Sequence, residues 1–306
     1  MIVGANTYST IARLGGMEGI EGYIDISSYL NHIKKIIDEG FHYIEIFSDP
    51  LLTVFNRYQM VELTKHLFEY KETYNVAYSL HLPFWWGDIG SFNEYVREGT
   101  IQTITELIDY TSILEPSHYV VHTLNSIPAM IQNSQSTDYV KQKNTKKLLA
   151  QTEKSLRNIL SLIDQSEKLC VENLYEADFA LNTALVETLN IGICFDIGHL
   201  AMRNEDIFEF LGKYLPRIKV IHAHNVVPEI NRNRQEWKLL DHLSVDQGII
   251  NYLDIIQYLD RLNFQGIFLI EVRAEKWAKS SFQYLEDLKK NHSIILQYKP
   301  QLLSTK

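Results

Sequence analysis

The chain is 306 residues long, 45% hydrophobic, and carries a formal net charge of −9, with 38 acidic against 29 basic residues. That length holds one full α/β barrel or two ordinary domains, and the acidic balance speaks against a partner gripped through its phosphates, duplex DNA above all. No apolar run approaches the ~20 residues that cross a bilayer, and the opening MIVGANTY lacks the basic, apolar and small-residue order of a secretion signal, so a cytoplasmic protein is expected.

Runs rich in β-branched and aromatic residues predict strands at Ile2–Tyr8, Tyr43–Phe47, Ala77–His81, Tyr119–Leu124, Leu169–Leu174, Gly192–Asp196, Val220–His224 and Ile267–Val272. Apolar residues at helical spacing predict helices between them, among them Ile26–Glu39, Gln59–Tyr70, Val96–Leu114, Lys146–Ser166 and Asp254–Leu262. Strand then helix, repeated over this length, predicts an α/β fold of the (β/α)8 TIM barrel type. An open doubly wound sheet is the alternative, but ANTYSTIARLGG, after the first strand, has no GxGxxG turn. A single TIM-barrel domain over 1–306 is expected. Two stretches exceed what a minimal barrel needs: Asn125–Lys147 and Val226–Gly248 read as long loops, the second as a lid carrying Arg232, Arg234, Trp237 and Lys238.

Barrel chemistry sits at the C-terminal ends of the strands, and polar residues recur there. His81 ends YSLH, His122 ends YVVH, Glu172 stands in KLCVENL, Asp196 and His199 in CFDIGH, His222 and His224 in KVIHAHN, and Glu271 in IFLIEVR; Asp241 and His242 follow in DHLSVDQG. Buried carboxylates cost several kcal/mol each unless a cation or proton compensates them. Their convergence with histidines, away from any cysteine cluster, is the donor set of Zn, Mn or Fe. The pattern points to a metalloenzyme. His32, His42, His66, His118 and His292 fall outside it, and Cys170 and Cys194, each two residues before a ligand candidate, read as small interior core residues of a reducing compartment. Trp85 and Trp86, just past His81, offer a flat face to a ring or serve as rim packing, and His224 is open between substrate contact and structure.

On these residues the chain resembles the xylose isomerase-like barrel superfamily, which includes endonuclease IV and the ketose epimerases. The likeness to endonuclease IV implies a cluster of two or three Zn or Mn ions held by His81, His122, Glu172, Asp196, His199, His222, His242 and Glu271, with Glu172 as the bridge. Leu240 and Asn225 stand where that enzyme has aspartates, which puts the third ion in question. The stretches HLPF, EPSHYVVH, KLCVENL, CFDIGHL, KYLPRIKVIHAHNV and DHLSVD look most like the cobamide-remodelling phosphodiesterases of the superfamily. That resemblance implies hydrolysis of a small phosphodiester such as that of a corrinoid nucleotide loop, with Glu172 and Glu271 catalytic. Arg232, Arg234 and Lys238 would steady the phosphate, and Trp85, Trp86, His224 and Asn225 would contact substrate. A sugar isomerase or epimerase with one metal on Glu172, Asp196, His222 and Glu271 is the alternative; it has no need of His81, His122 and His242 together. A metal or corrinoid carrier without catalysis is the third reading.

Overall fold

The computed structural model describes residues 1–7, 25–125, 127–231, 236–292, 294 and 296. Eight parallel strands close into a barrel in the order β1, β10, β7, β6, β5, β4, β3, β2: β1 Ile2–Asn6, β2 Tyr43–Phe47, β3 Ala77–His81, β4 Tyr119–Val121, β5 Leu169–Glu172, β6 Gly192–Asp196, β7 Ile218–Ala223 and β10 Ile267–Ile270. The predicted (β/α)8 TIM barrel is therefore the fold. These strands are buried on both faces, which is why they read as near-continuous apolar runs. Inside the barrel, Tyr43, Val120, Cys170, Cys194, Val220, Ile267 and Leu269 form a compact plug. Both cysteines face the interior, as the alternation predicts.

Helices cover the outside, and local sequence sets their ends. Asp25 caps Ile26–Asp38 by accepting the Ser28 N–H, Asn56 and Gln59 form a capping box at the start of Arg57–Tyr74, and Asn93 caps Glu94–Thr111. Asn75 and Asn190 close their helices in the left-handed conformation that asparagine tolerates.

Two expectations about loops are corrected. Residues 125–147 are not a long loop: Ile127–Asn133 is helical, and Asp138–Leu160, capped by Thr137, begins eight residues before the helix predicted at Lys146. The first turns of that helix are largely exposed, so no apolar stripe marked them. Val226–Gly248 is mostly a hairpin, with β8 (Asn225–Asn231) antiparallel to β9 (Glu236–Leu243). Tyr8 and residues 301–306 lie outside the described residues.

Candidate metal centre and active site

Adjacent strands in parallel register put their end residues side by side. Asp196 pairs with His222, His222 with Leu269, and Glu172 with Cys194. With Glu271 one residue beyond β10, four strands deliver Glu172, Asp196, His222 and Glu271 to one point, where one donor atom from each lies within 4.8 Å of the others. His222 Nδ1 is 3.0 Å from Glu271 Oε2, 3.6 Å from Glu172 Oε1 and 4.0 Å from Asp196 Oδ2. All four residues are buried, and neither His222 Nδ1 nor Asp196 Oδ2 has a hydrogen-bond partner.

Three carboxylates around one imidazole, with buried unpaired donor atoms, need positive charge among them. Burial pushes the Glu172 and Glu271 carboxyls up, but the neighbouring His122 and His222 for the first, and His222 for the second, outweigh it and hold both well below the ordinary range. Burial likewise opposes protonation of His199, yet Asp196 and Glu172 lift it to about 10. Mixed nitrogen and oxygen donors of this kind fit a divalent ion such as Zn or Mn.

A second group sits on the other oxygen of Glu172. His81 Nε2 and His122 Nε2 each lie 3.1 Å from Glu172 Oε2. His81 Nδ1 donates to the Leu82 carbonyl at 3.2 Å, so a neutral His81 turns the Nε2 lone pair on the carboxylate, an arrangement that calls for a proton or a cation between them. Phe84 stacks on His122 with ring centres 3.7 Å apart and fixes its plane. His199, His224 and His242 form a third set of donor atoms within 4.8 Å. The backbone N–H of His242 donates to His224 Nδ1 at 3.0 Å, which leaves the proton of a neutral His224 on Nε2, 3.1 Å from Asp196 Oδ1.

These groups floor a cavity of about 730 Å³. Glu172, Glu271, His81, His122, His199 and His242 line it, as do the mutually packed Phe47, Phe84 and Trp85, together with Trp86, Tyr175 against His199, Asp241 and Arg273. Every metal-ligand candidate read from the sequence thus falls in one place. Of the substrate-contact candidates, Trp85 and Trp86 line the cavity, whereas His224 and Asn225 do not. His224 is fully buried behind Asp196, and Asn225 is a staple of its own loop, donating to the Val245 and Ile250 carbonyls and accepting the Val226 and Ile250 N–H groups. Arg232 and Arg234 lie outside the described residues, and Lys238 stands in β9 opposite Glu229.

The sequence reading passed over several residues that shape the site. Glu45, fully buried in β2, lies 3.1 Å from His222 Nε2. Asn173 clamps β6 by accepting the Asp196 N–H at 2.7 Å and donating to the Asp196 carbonyl at 2.8 Å. Asp49 accepts the backbone N–H groups of Phe84 and Trp85 and so holds the aromatic wall, and Arg273 pairs with Asp241. Glu45 carried a usable signal, a carboxylate in the apolar run YIEIF; Asp49 and Asn173 act through backbone groups and carried none.

The family described as xylose isomerase-like TIM barrel matches residues 33–288. The chain belongs to that family. An uncharacterized protein of Methanocaldococcus jannaschii is 25% identical over 274 residues, 85% of this chain and 84% of its own length. Among solved structures, a D-tagatose 3-epimerase-like protein superposes with a TM-score of 0.69 at 22% identity, covering 96% of this chain and 98% of its own. The IOLI protein, solved with a bound zinc atom, gives a TM-score of 0.64 at 14% identity over 95% of this chain and 97% of its own. At these identities the structural likeness carries the fold. Among the described residues no helix is long and apolar enough to cross a membrane.

Proposed function

We propose that this chain is a divalent-metal-dependent isomerase or epimerase of a small sugar carbonyl compound, with the ion held by Glu172, Asp196, His222 and Glu271. The observation that carries this is a division of labour within the ring. Glu172 and Glu271 open on the cavity, whereas Asp196 and His222 are wholly buried behind them. A bound divalent ion would polarise the substrate carbonyl and make the neighbouring C–H more acidic. Glu172 and Glu271, both kept ionised, are then placed to take a proton from carbon and return it. His199, on the cavity wall and 3.4 Å from Glu172, supplies a donor for a substrate oxygen. Trp85 and Trp86 present flat faces to the carbon skeleton of a sugar ring.

The names of the structural relatives favour sugar chemistry over the phosphodiester and corrinoid chemistry that the sequence resemblance implied. Hydrolysis of a small phosphodiester stays as a second reading for one reason: His81 and His122 gather on Glu172 Oε2, where a second ion would complete a two-metal clamp. The test is direct. Protein loaded with Mn or Zn is incubated in D2O with a panel of ketoses and, separately, with adenosylcobalamin and a nucleotide diester. Deuterium entering carbon next to the carbonyl of a ketose, seen by NMR, supports the isomerase reading. Diester cleavage with no exchange on any sugar overturns it.

A further inference from the structure

Glu45 is a fully buried carboxylate at the centre of the barrel that none of the chemistry above uses. It is also carefully held. Asn6 Nδ2 donates to its Oε1 at 2.8 Å, and Ser79 Oγ donates to its Oε2 at 3.2 Å. The same Asn6 amide reaches Glu271 Oε1 at 3.3 Å, tying this carboxylate to the metal ring. Glu45 Oε1 lies 3.1 Å from His222 Nε2, a close charge contact rather than an aligned hydrogen bond, while the opposite nitrogen, Nδ1, faces Glu172, Asp196 and Glu271.

An imidazole ligates through one nitrogen only if the proton resides on the other, and a carboxylate beside that other nitrogen fixes the tautomer and the ring orientation. We propose that Glu45 is the positioning residue of the metal centre: it keeps the His222 proton on Nε2 and so turns the Nδ1 lone pair into the ring of carboxylates. Asn6 and Ser79 act one step further out by fixing Glu45. A neutral side chain at position 45 would let the proton settle on either nitrogen, and in one of the two tautomers Nδ1 cannot ligate.

The inference rests on the metal reading of the site, and one experiment separates the two. Apparent Mn and Zn affinities of the intact chain and of Glu45→Gln are measured by competition with a chromophoric chelator, and the His222 tautomer is read in both by nitrogen-15 NMR of histidine-labelled protein. The expected result is metal binding by the unmodified chain, a loss of roughly 10- to 100-fold in Glu45→Gln, and an Nε2-protonated His222 in the first but not the second. Equal affinity in a folded Glu45→Gln, or an unchanged tautomer, overturns the role of Glu45 and leaves the metal reading standing. No metal bound by the unmodified chain overturns the metal reading, and the tautomer comparison still judges Glu45. Should Glu45→Gln fail to fold, Ser79→Ala, which removes one donor from the carboxylate, is held to the same two readouts with a smaller loss of affinity expected.

Discussion

His224 and His242 lie face to face, with ring centres 4.1 Å apart and planes 7° from parallel, although they stand 18 positions apart in the sequence. The stack joins the β8–β9 hairpin to the ring of carboxylates: His242 lines the cavity, and His224 stands against Asp196. Gly198 gives this stack its room. A Cβ built at Gly198 would sit 1.9 Å from His224 Cε1. Gly198→Ala should therefore push His224 off Asp196, costing about 1–3 kcal/mol of stability by overpacking and weakening metal binding. Urea unfolding and metal titration of the variant check both; wild-type values in each would show that His224 has slack.

Glu172→Gln changes charge but hardly volume at the residue shared by both histidine groups. The expected outcome is a folded protein, by circular dichroism and thermal melting, with activity reduced to a small fraction of wild type in a metal-replete sample. Substantial residual turnover would remove Glu172 from the centre.

The number of ions separates the two readings of the site. With one ion on the four-strand ring, His81→Ala and His122→Ala leave metal stoichiometry unchanged while Asp196→Ala lowers it. With two, the histidine variants also lose an equivalent. Mass-spectrometric metal analysis of the three proteins decides between them, and a loss in both histidine variants would favour the phosphodiester reading.

Much of this site was legible in the sequence because buried parallel strands leave few explanations for a terminal histidine or carboxylate. His81, His122, Glu172, Asp196, His222 and Glu271 all come from such positions. What escaped has a physical pattern. Asp49 and Asn173 work through backbone groups of segments distant in sequence, and such pairings leave no periodicity. His224 and Asn225 looked like substrate contacts from their place beyond β7, but which buried polar group faces the cavity and which is turned into a neighbouring loop depends on where the hairpin packs. The early start of the helix at Asp138 was hidden because its exposed turns have no apolar face to read.

Asp49→Ala tests one of the missed residues. It leaves the Phe84 and Trp85 N–H groups without their acceptor, at a cost of about 1–3 kcal/mol for a lost buried partner, and it frees the Phe84 ring from His122. Asp49→Asn, which keeps one acceptor oxygen, should lose less. Chemical denaturation ranks the two; equal stability of Asp49→Ala and wild type would contradict the contact.

His118, away from the site, contributes to acid stability. Burial, with Lys219 and Lys168 nearby, pulls the His118 imidazole down from its ordinary 6.5 to about 4. Between those values the unfolded chain binds the extra proton and the folded chain does not, so this contribution is complete above about pH 6.5 and is lost as pH falls toward about 4. His118→Gln should flatten that part of the profile. Urea midpoints of both proteins at pH 5 and pH 7 measure it, and parallel losses in the two would show that His118 plays no part.

The most direct test of the metal centre is the metal content of protein purified without chelators, compared with a sample carrying Asp196→Ala and Glu271→Ala together. The expected result is at least one equivalent of Zn or Mn per chain in the first and a loss of that equivalent in the second, with the barrel still folded. A chain that holds no divalent ion, or one whose bound ion survives removal of both carboxylates, would contradict a metal centre at the meeting point of these four strands.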